Sequence, residues 1–286
     1  VKKRTHEYQT RQYMLSSDYE IYHYLNSDIR NINIHHHDFY EIYFFIAGDV
    51  TYLIEGKAYK LEAGNLVLIN SKELHQAVIN SEEAYYERIV LWINRGFLKS
   101  LSNEEIDLSL CFEGINKKNV LSADFEQQKN IRFILNKLVD LENYKGFGYE
   151  LLYKAYITEL MVHINNLTFK EDTELGVDIK KSNLIDGIIE YINNHIEEDI
   201  TVDEIAEQFY LSKFHLSREF KKYTGTTIHR YIVQKKLIEA KELILKEIPI
   251  IDVYKQCGFG DYSNFFRAFK NEYGITPKQY YEAMVK

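Results

Sequence analysis

Three consecutive histidines, His35-His36-His37, stand just ahead of Glu41, and a further histidine, His75, lies well downstream. Side chains alternate along an extended chain, so His35, His37 and Glu41 are expected on one face of a strand, with Tyr43 and Phe45 continuing it. Imidazole nitrogens and a carboxylate suit a divalent transition metal, which makes His35, His37, Glu41 and His75 a candidate metal set. The same groups suit a small polar effector, and His35, His37, Glu41, Tyr43, His75 and Trp92 are candidates for binding it. Tyr22, Tyr24 and Tyr52 are further aromatic candidates. With 24 Tyr in the chain, ordinary core packing is the default for any single one.

A second kind of chemistry belongs to the last hundred residues. Arg218, Phe220, Lys221, Gly225, Thr227 and Tyr231 return 49 positions later as Arg267, Phe269, Lys270, Gly274, Thr276 and Tyr280. A repeat of this size is two copies of one supersecondary unit. In each copy a short apolar helix and a tight turn lead into a helix with one apolar and one basic edge, the pattern of a helix-turn-helix. In the first copy Thr201 with Glu204 forms a capping box, and Ser212 caps the second helix. Along that helix Leu216, Phe220 and Tyr223 make the inner edge, while Phe214, Ser217, Arg218 and Lys221 step i, i+3, i+4, i+7 on the outer one. In the second copy Asp261 is the expected cap, with Phe265 and Phe269 inward and Ser263, Phe266, Arg267 and Lys270 outward. An arginine on such a stripe reaches guanine N7 and O6, and a lysine suits a phosphate.

The elements that must position these groups fall into zones. Up to about residue 115, β-rich runs alternate with turn signals: Tyr40–Ile46, Val50–Ile54, Ala58–Leu61, Leu66–Ile69 and Ile89–Ile93, broken at Gly48-Asp49, Glu55-Gly56-Lys57 and Ala63-Gly64-Asn65. That spacing predicts a barrel or sandwich. Ile131, Ile134, Leu138 and Leu141 then step by three and four, as do Tyr153, Ile157, Leu160, Ile164 and Leu167. They predict two amphipathic helices joined at Gly146–Gly148. That stripe either packs on the barrel of its own chain or forms a seam with a second copy, and the seam is favoured. Residues 170–182 read as a polar linker. From Ile228 to Lys246 runs a segment without Gly or Pro. As one helix it would span about 27 Å, a strut holding two reading helices roughly one turn of B-DNA apart, about 34 Å.

Bulk composition narrows the classes without choosing among them. The chain has 286 residues, 45% of them apolar, which is enough for two modest domains. No apolar run approaches membrane-spanning length, and the start (Val1, Lys2, Lys3, Arg4) lacks the apolar stretch of a signal peptide. Only Cys111 and Cys257 are present, which points to a reducing cytoplasm. Net charge is −8, and residues 183–286 hold 14 Lys and Arg against 16 Asp and Glu. Overall charge therefore gives no support to DNA binding. The local field does: an acidic stretch around Glu197–Glu207 is followed by Lys213, Arg218, Lys221, Lys222, Arg230, Lys235 and Lys236.

The repeat resembles the DNA-binding domain of AraC/XylS-type transcription regulators. Carrying residues are Ile205-Ala206, Ser212, Leu216, Arg218, Phe220-Lys221, Gly225, Tyr231, Leu237, Ala240, Gly258-Phe259, Asp261, Phe265, Arg267, Phe269-Lys270, Gly274, Thr276-Pro277 and Tyr280. Lys236, Tyr254 and Ile232-Val233 depart from the family pattern, and Tyr254 bears on the packing of the second copy. The resemblance implies base contacts from Phe214, Ser217 and Arg218 in one helix and from Tyr262, Ser263 and Arg267 in the other. Lys221 and Lys270 stand beside them. Upstream, H-x-H-x3-E-x6-G followed by G-x10-H is similar to both halves of the cupin motif, with Asn70 and Lys72 departing from it. Such a barrel is the sensor expected in AraC-type regulators.

The expected architecture is multidomain: an all-β cupin-like barrel (1–115), a helical dimerisation hairpin (116–169), a linker (170–182) and an all-α tandem helix-turn-helix domain (183–286). The expected function is a cytoplasmic, sequence-specific transcription regulator that binds double-stranded DNA. It would respond to a small polar effector such as a sugar and require no cofactor, with a divalent transition metal in the barrel as an option. The resemblance adds activation, a homodimer and RNA polymerase as a partner, and no membrane association. Two alternatives stay open: a metal-dependent cupin enzyme, which leaves the repeat unexplained, and a DNA-binding factor controlled by another protein.

Overall fold

A computed structural model of the chain describes residues 13–26, 32–80, 85–115, 117–144, 146–170 and 178–284. The basic start, Lys2, Lys3 and Arg4, and most of the expected linker lie outside these residues. The chain divides into two compact units, the first up to Lys180 apart from Glu55–Lys57, and the second from Lys181 together with those three residues.

The first unit is β-rich. Its strands are β1 (Tyr19–Asn26), β2 (Tyr40–Ala47), β3 (Val50–Ile54), β4 (Lys57–Lys60), β5 (Leu66–Ile69), β6 (His75–Ile79), β7 (Tyr86–Ile93), β8 (Val120–Leu121) and β9 (Asp178–Lys180). One sheet has the order β1-β7-β2-β5-β8 and the other β6-β3-β4-β9. Glu55 and Gly56, with φ of 45° and 78°, turn β3 into β4; two successive positive φ angles match the twist of the flanking strands. The short helices α1 (Arg95–Leu101) and α2 (Leu110–Glu113) follow β7, and the long pair α3 (Phe125–Leu141) and α4 (Tyr149–Thr168) follows β8. Asp124 and Gln127 form a capping box at the start of α3.

Period-two alternation gives the first sheet two different faces. Tyr40, Ile42 and Phe44 of β2 join Ile89, Leu91 and Ile93 of β7 in one core, while Tyr43 and Phe45 join Val90 and Trp92 in another. The helical stripe is spent on the first of these cores. Ile131, Ile134, Leu138, Leu141, Tyr153, Ile157, Leu160, Ile164 and Leu167 are all buried against the sheet of their own chain. This corrects the expectation of a dimer seam along that stripe. An apolar sheet face needs a cover, and the hairpin supplies it at about 1.5–3 kcal/mol for each large side chain buried. The hairpin accordingly lies within the first unit and shares a core with one face of its first sheet. Asp178–Lys180, expected as linker, pairs antiparallel with β4, with Tyr59 opposite Ile179.

The second unit is helical: α5 (Asn183–Asn194), α6 (Val202–Gln208), α7 (Lys213–Thr224), α8 (Ile228–Leu245), α9 (Ile250–Gln256), α10 (Tyr262–Tyr273) and α11 (Pro277–Met284). The capping box Thr201–Glu204 and the caps Ser212 and Asp261 are formed, and Gly225 and Gly274 end α7 and α10 at φ of 75° and 73°. α8 is the continuous strut, touching α7 on one side and α9, α10 and α11 on the other. Leu237, Ala240 and Ile244 of α8 meet Val253, Cys257, Phe265, Phe269 and Tyr280 in the core of the second copy. Tyr254 is accommodated there, its ring edge-on to Tyr262 at 5.8 Å.

Candidate nucleic-acid interface and sensor site

On α7, Leu216 and Phe220 are fully buried, which turns the opposite edge to solvent. Phe214, Ser217, Arg218 and Lys221 are all exposed, Phe214 by 76%. α10 repeats this, with Phe265 and Phe269 buried and Tyr262, Ser263, Arg267 and Lys270 exposed. All eight residues expected to face DNA are thus free of their own core. Phe266, expected outward, is half-buried. Lys236, counted with the basic stretch, is a correction. It is buried and donates to the carbonyls of Glu198 (2.7 Å) and Gly258 (2.5 Å), and burial pulls its pKa down. It ties the loop before α6 to the turn of the second copy and offers no charge to a phosphate. Glycine is required at 258, since a Cβ there would lie 2.4 Å from the Glu198 carbonyl oxygen.

In the first unit the sequence candidates converge unevenly. His37, Glu41 and His75 bring ligand atoms within 4.8 Å of one another, all buried. His35 stands outside this trio and is half-buried, its ring 4.3 Å from that of His75. The strand that was to carry His35 and His37 begins only at Tyr40; a single backbone bridge holds His35 to His75. Each of the three imidazoles places Nδ1 against a backbone carbonyl: His35 on Asn33, His37 on Phe39, His75 on Glu73. A carbonyl only accepts, so Nδ1 carries the proton and Nε2 presents its lone pair. The Nε2 atoms of His37 and His75 are buried without a hydrogen-bond partner. Burial, reinforced by the neighbouring imidazoles, holds His37 and His75 well below the usual histidine pKa, and burial lowers His35 as well.

Glu41 is held by Trp92 Nε1 at 2.8 Å and by the Tyr52 hydroxyl at 3.2 Å. His37 Nε2 lies 3.6 Å from its Oε2. Burial pushes the Glu41 pKa up to about 7, against the opposing pull of those two hydrogen bonds. Tyr43 lies on the same face and bonds the Tyr86 hydroxyl. Aromatic rings line the neighbourhood, Tyr22 against Trp92 at 5.1 Å and Phe39 against Trp92 at 4.6 Å.

Arg88 escaped the sequence reading. Its guanidinium is buried between the rings of Tyr24 (4.7 Å) and Tyr86 (4.0 Å) and donates to Asn26 Oδ1 at 2.5 Å. The signal was a lone cation in the apolar run Tyr86–Ile93, two residues from Val90 and four from Trp92. It therefore shares their face.

The helix-turn-helix domain family matches residues 205–283, and the AraC-like ligand-binding domain family matches residues 20–141. The chain belongs to the AraC family. It is 28% identical over 252 residues to the HTH-type transcriptional activator RhaS of Mannheimia succiniciproducens, covering 86% of this chain and 87% of that one. RhaS of Salmonella paratyphi A is 24% identical over 245 residues, 85% of each chain. Among solved structures, the C-terminal domain of the two-component response regulator yesN from Fusobacterium nucleatum is 35% identical. That match covers 35% of this chain and 99% of that one, with a TM-score of 0.34. The AraC-like ligand-binding match runs from β1 to the end of α3 and contains His35, His37, Glu41, Tyr43, His75, Arg88 and Trp92. The helix-turn-helix match runs from α6 into α11 and contains both arginine-bearing helices. This AraC-family chain is thus a DNA-binding transcription regulator with a ligand-binding domain. Among the described residues, no helix is long and apolar enough to cross a membrane.

Proposed function

We propose that this AraC-family protein activates transcription by reading two successive major grooves of one duplex, α7 in the first and α10 in the second. The observation that carries this reading is Arg218 and Arg267, solvent-facing and at the same register on two helices capped and stopped alike. Phe214, Ser217, Tyr262 and Ser263 add base contacts, and Lys221 and Lys270 take phosphates. Activation is supported by the RhaS relatives, which are named transcriptional activators, and implies RNA polymerase as a partner. The active species is a homodimer. Its contact is not the buried stripe but the apolar side chains the hairpin leaves exposed, Phe133, Phe147 and Leu151.

The effector is a small hydroxyl-rich molecule, a sugar or polyol, seated at His37, Glu41 and His75 against Tyr43 and Trp92, with His35 at the edge. Two buried imidazole lone pairs without a donor, converging beside the Glu41 carboxyl, call for a ligand that brings donors. The same trio supports a second reading, a divalent transition metal held by His37 Nε2, His75 Nε2 and Glu41. Thermal unfolding of the purified protein with a panel of sugars and polyols, alongside elemental analysis, tests both. A saturable rise in Tm for a polyol with no stoichiometric metal supports the first reading. One metal per chain, lost in His37→Ala with His75→Ala, supports the second. Neither result would leave the trio without a ligand and remove the effector from this site.

A further inference from the structure

Each reading helix extends its N-terminal cap by one further hydrogen bond, from the arginine back to the side chain of the residue that the cap holds, and neither capping nor packing requires that second bond. In α7 the Ser212 hydroxyl accepts from the backbone N–H of His215 at 3.3 Å, and His215 Nδ1 accepts from Arg218 Nη2 at 3.3 Å. In α10 the Asp261 carboxylate accepts from the backbone N–H of Asn264 at 2.7 Å, and Asn264 Oδ1 accepts from Arg267 Nη2 at 2.7 Å. Asn264 is itself held by its amide N–H on the Asp261 carboxylate. His215 and Asn264 stand 49 positions apart, the same offset that relates the two arginines. The residue types differ between the copies, Ser and His in one and Asp and Asn in the other. What both retain is a side-chain acceptor one helical turn before the arginine, where i and i+3 side chains meet.

We infer that His215 and Asn264 are positioning residues that orient Arg218 and Arg267 for base reading before DNA arrives. This rests on the reading in which those arginines contact bases. A guanidinium distinguishes guanine only when two parallel N–H groups meet N7 and O6 together; misaligned, it still attracts a phosphate at any sequence. Holding the side chain cuts the freedom lost on forming the paired contact, and that contact exists only at the matching base, so orientation favours the cognate duplex and leaves unselected DNA unaffected. In α10 the Arg267 Nε also donates to the Ser263 carbonyl at 3.3 Å. With Nε and one Nη2 hydrogen tied back to the helix, the end-on fork stays available. In α7 the hold is looser, since Glu219 Oε1 competes for Arg218 Nη2 at 3.4 Å. Asn264 thus contributes more to its half of the site than His215 does to the other.

The full-length chain is used to select duplexes from a random-sequence library. Binding is then measured by fluorescence anisotropy at fixed salt, on the selected duplex and on its single base-pair variants. Asn264→Ala and His215→Ala should each lower base discrimination in one half-site by roughly 3- to 10-fold, the Asn264 variant more. Affinity for an unselected duplex should stay unchanged. The reciprocal exchanges His215→Asn and Asn264→His, which restore an acceptor at the same register, should recover discrimination. Unchanged discrimination in the alanine variants, equal weakening on every sequence, or failure of both exchanges would overturn the inference. Arg218→Ala and Arg267→Ala separate the two levels. If they erase discrimination while the alanine variants at 215 and 264 do not, only the positioning role is lost; if they leave it intact, the base-reading assignment falls and the inference falls with it.

Discussion

At the scale of single residues, the barrel concentrates its chemistry on Glu41. Its carboxyl has an ordinary pKa of 4.5 in the unfolded chain and about 7 in the folded one, where burial disfavours the charge. Between those values the folded state holds a proton that the unfolded state has released. Wild-type stability should therefore fall, relative to Glu41→Gln, as pH rises from about 4.5 through about 7, by roughly 3 kcal/mol in total. His37 and His75, held neutral, act in the opposite sense, removing stability as pH falls below the ordinary histidine value. They are common to both proteins and cancel in the difference. Chemical denaturation across this range, with a chelator present, checks it; parallel curves would mean that Glu41 ionises freely. The trio His37, Glu41 and His75 was legible because few structural roles need that spacing of ligands. Arg88 was not, because one cation in a strand is read as an edge or an error until its face is known. His215 and Asn264 were equally silent, since a side-chain acceptor leaves no trace in hydropathy.

The secondary-structure elements differ in how far local chemistry announces them. In the second unit α7 and α10 were readable because cap, glycine stop and apolar edge coincide within each and recur 49 residues on. β1 was missed. Its sequence, YEIYHYLN, shows no clean apolar–polar alternation, because Tyr19 and Ile21 feed one core while Tyr24 feeds the other. β9 was missed because three polar-flanked residues gain strand character only from the β4 edge they meet. Glycine stops are separable by their surroundings. Gly258 and Gly274 both have positive φ, 67° and 73°, but a Cβ at 258 would strike the backbone of Glu197 and Glu198, whereas at 274 it meets open space. Gly274→Ala should cost about 1 kcal/mol, the left-handed strain alone. Gly258→Ala should cost clearly more, about 2–4 kcal/mol, because backbone must also move. Urea unfolding of the two variants decides; equal costs would contradict the tight approach of the turn to the Glu197–Glu198 segment.

On the scale of the whole molecule, each unit has a hydrophobic core of its own. A fragment of residues 181–286 should fold cooperatively and keep the base preference of the full chain. The full chain should sediment as a dimer and bind more tightly through two tethered readers. An unfolded fragment would place part of its core in the first unit. The seam placed on the α3–α4 stripe marks where sequence reading reached too far. A three–four stripe reports that a helix face is covered but not by what, and here a sheet of the same chain covers it. Net charge was similarly blunt. At −8 the chain looks unsuited to DNA, yet Arg218, Lys221, Arg267 and Lys270 are exposed on the two edges opposite Leu216, Phe220, Phe265 and Phe269. The central claim, two arginine-bearing helices reading consecutive grooves, is tested most directly by the sequence the protein selects from random DNA. Two blocks of preferred bases are expected, with centres about 10.5 base pairs apart, one lost in Arg218→Ala and the other in Arg267→Ala. A single block, or two that both survive these substitutions, would contradict it.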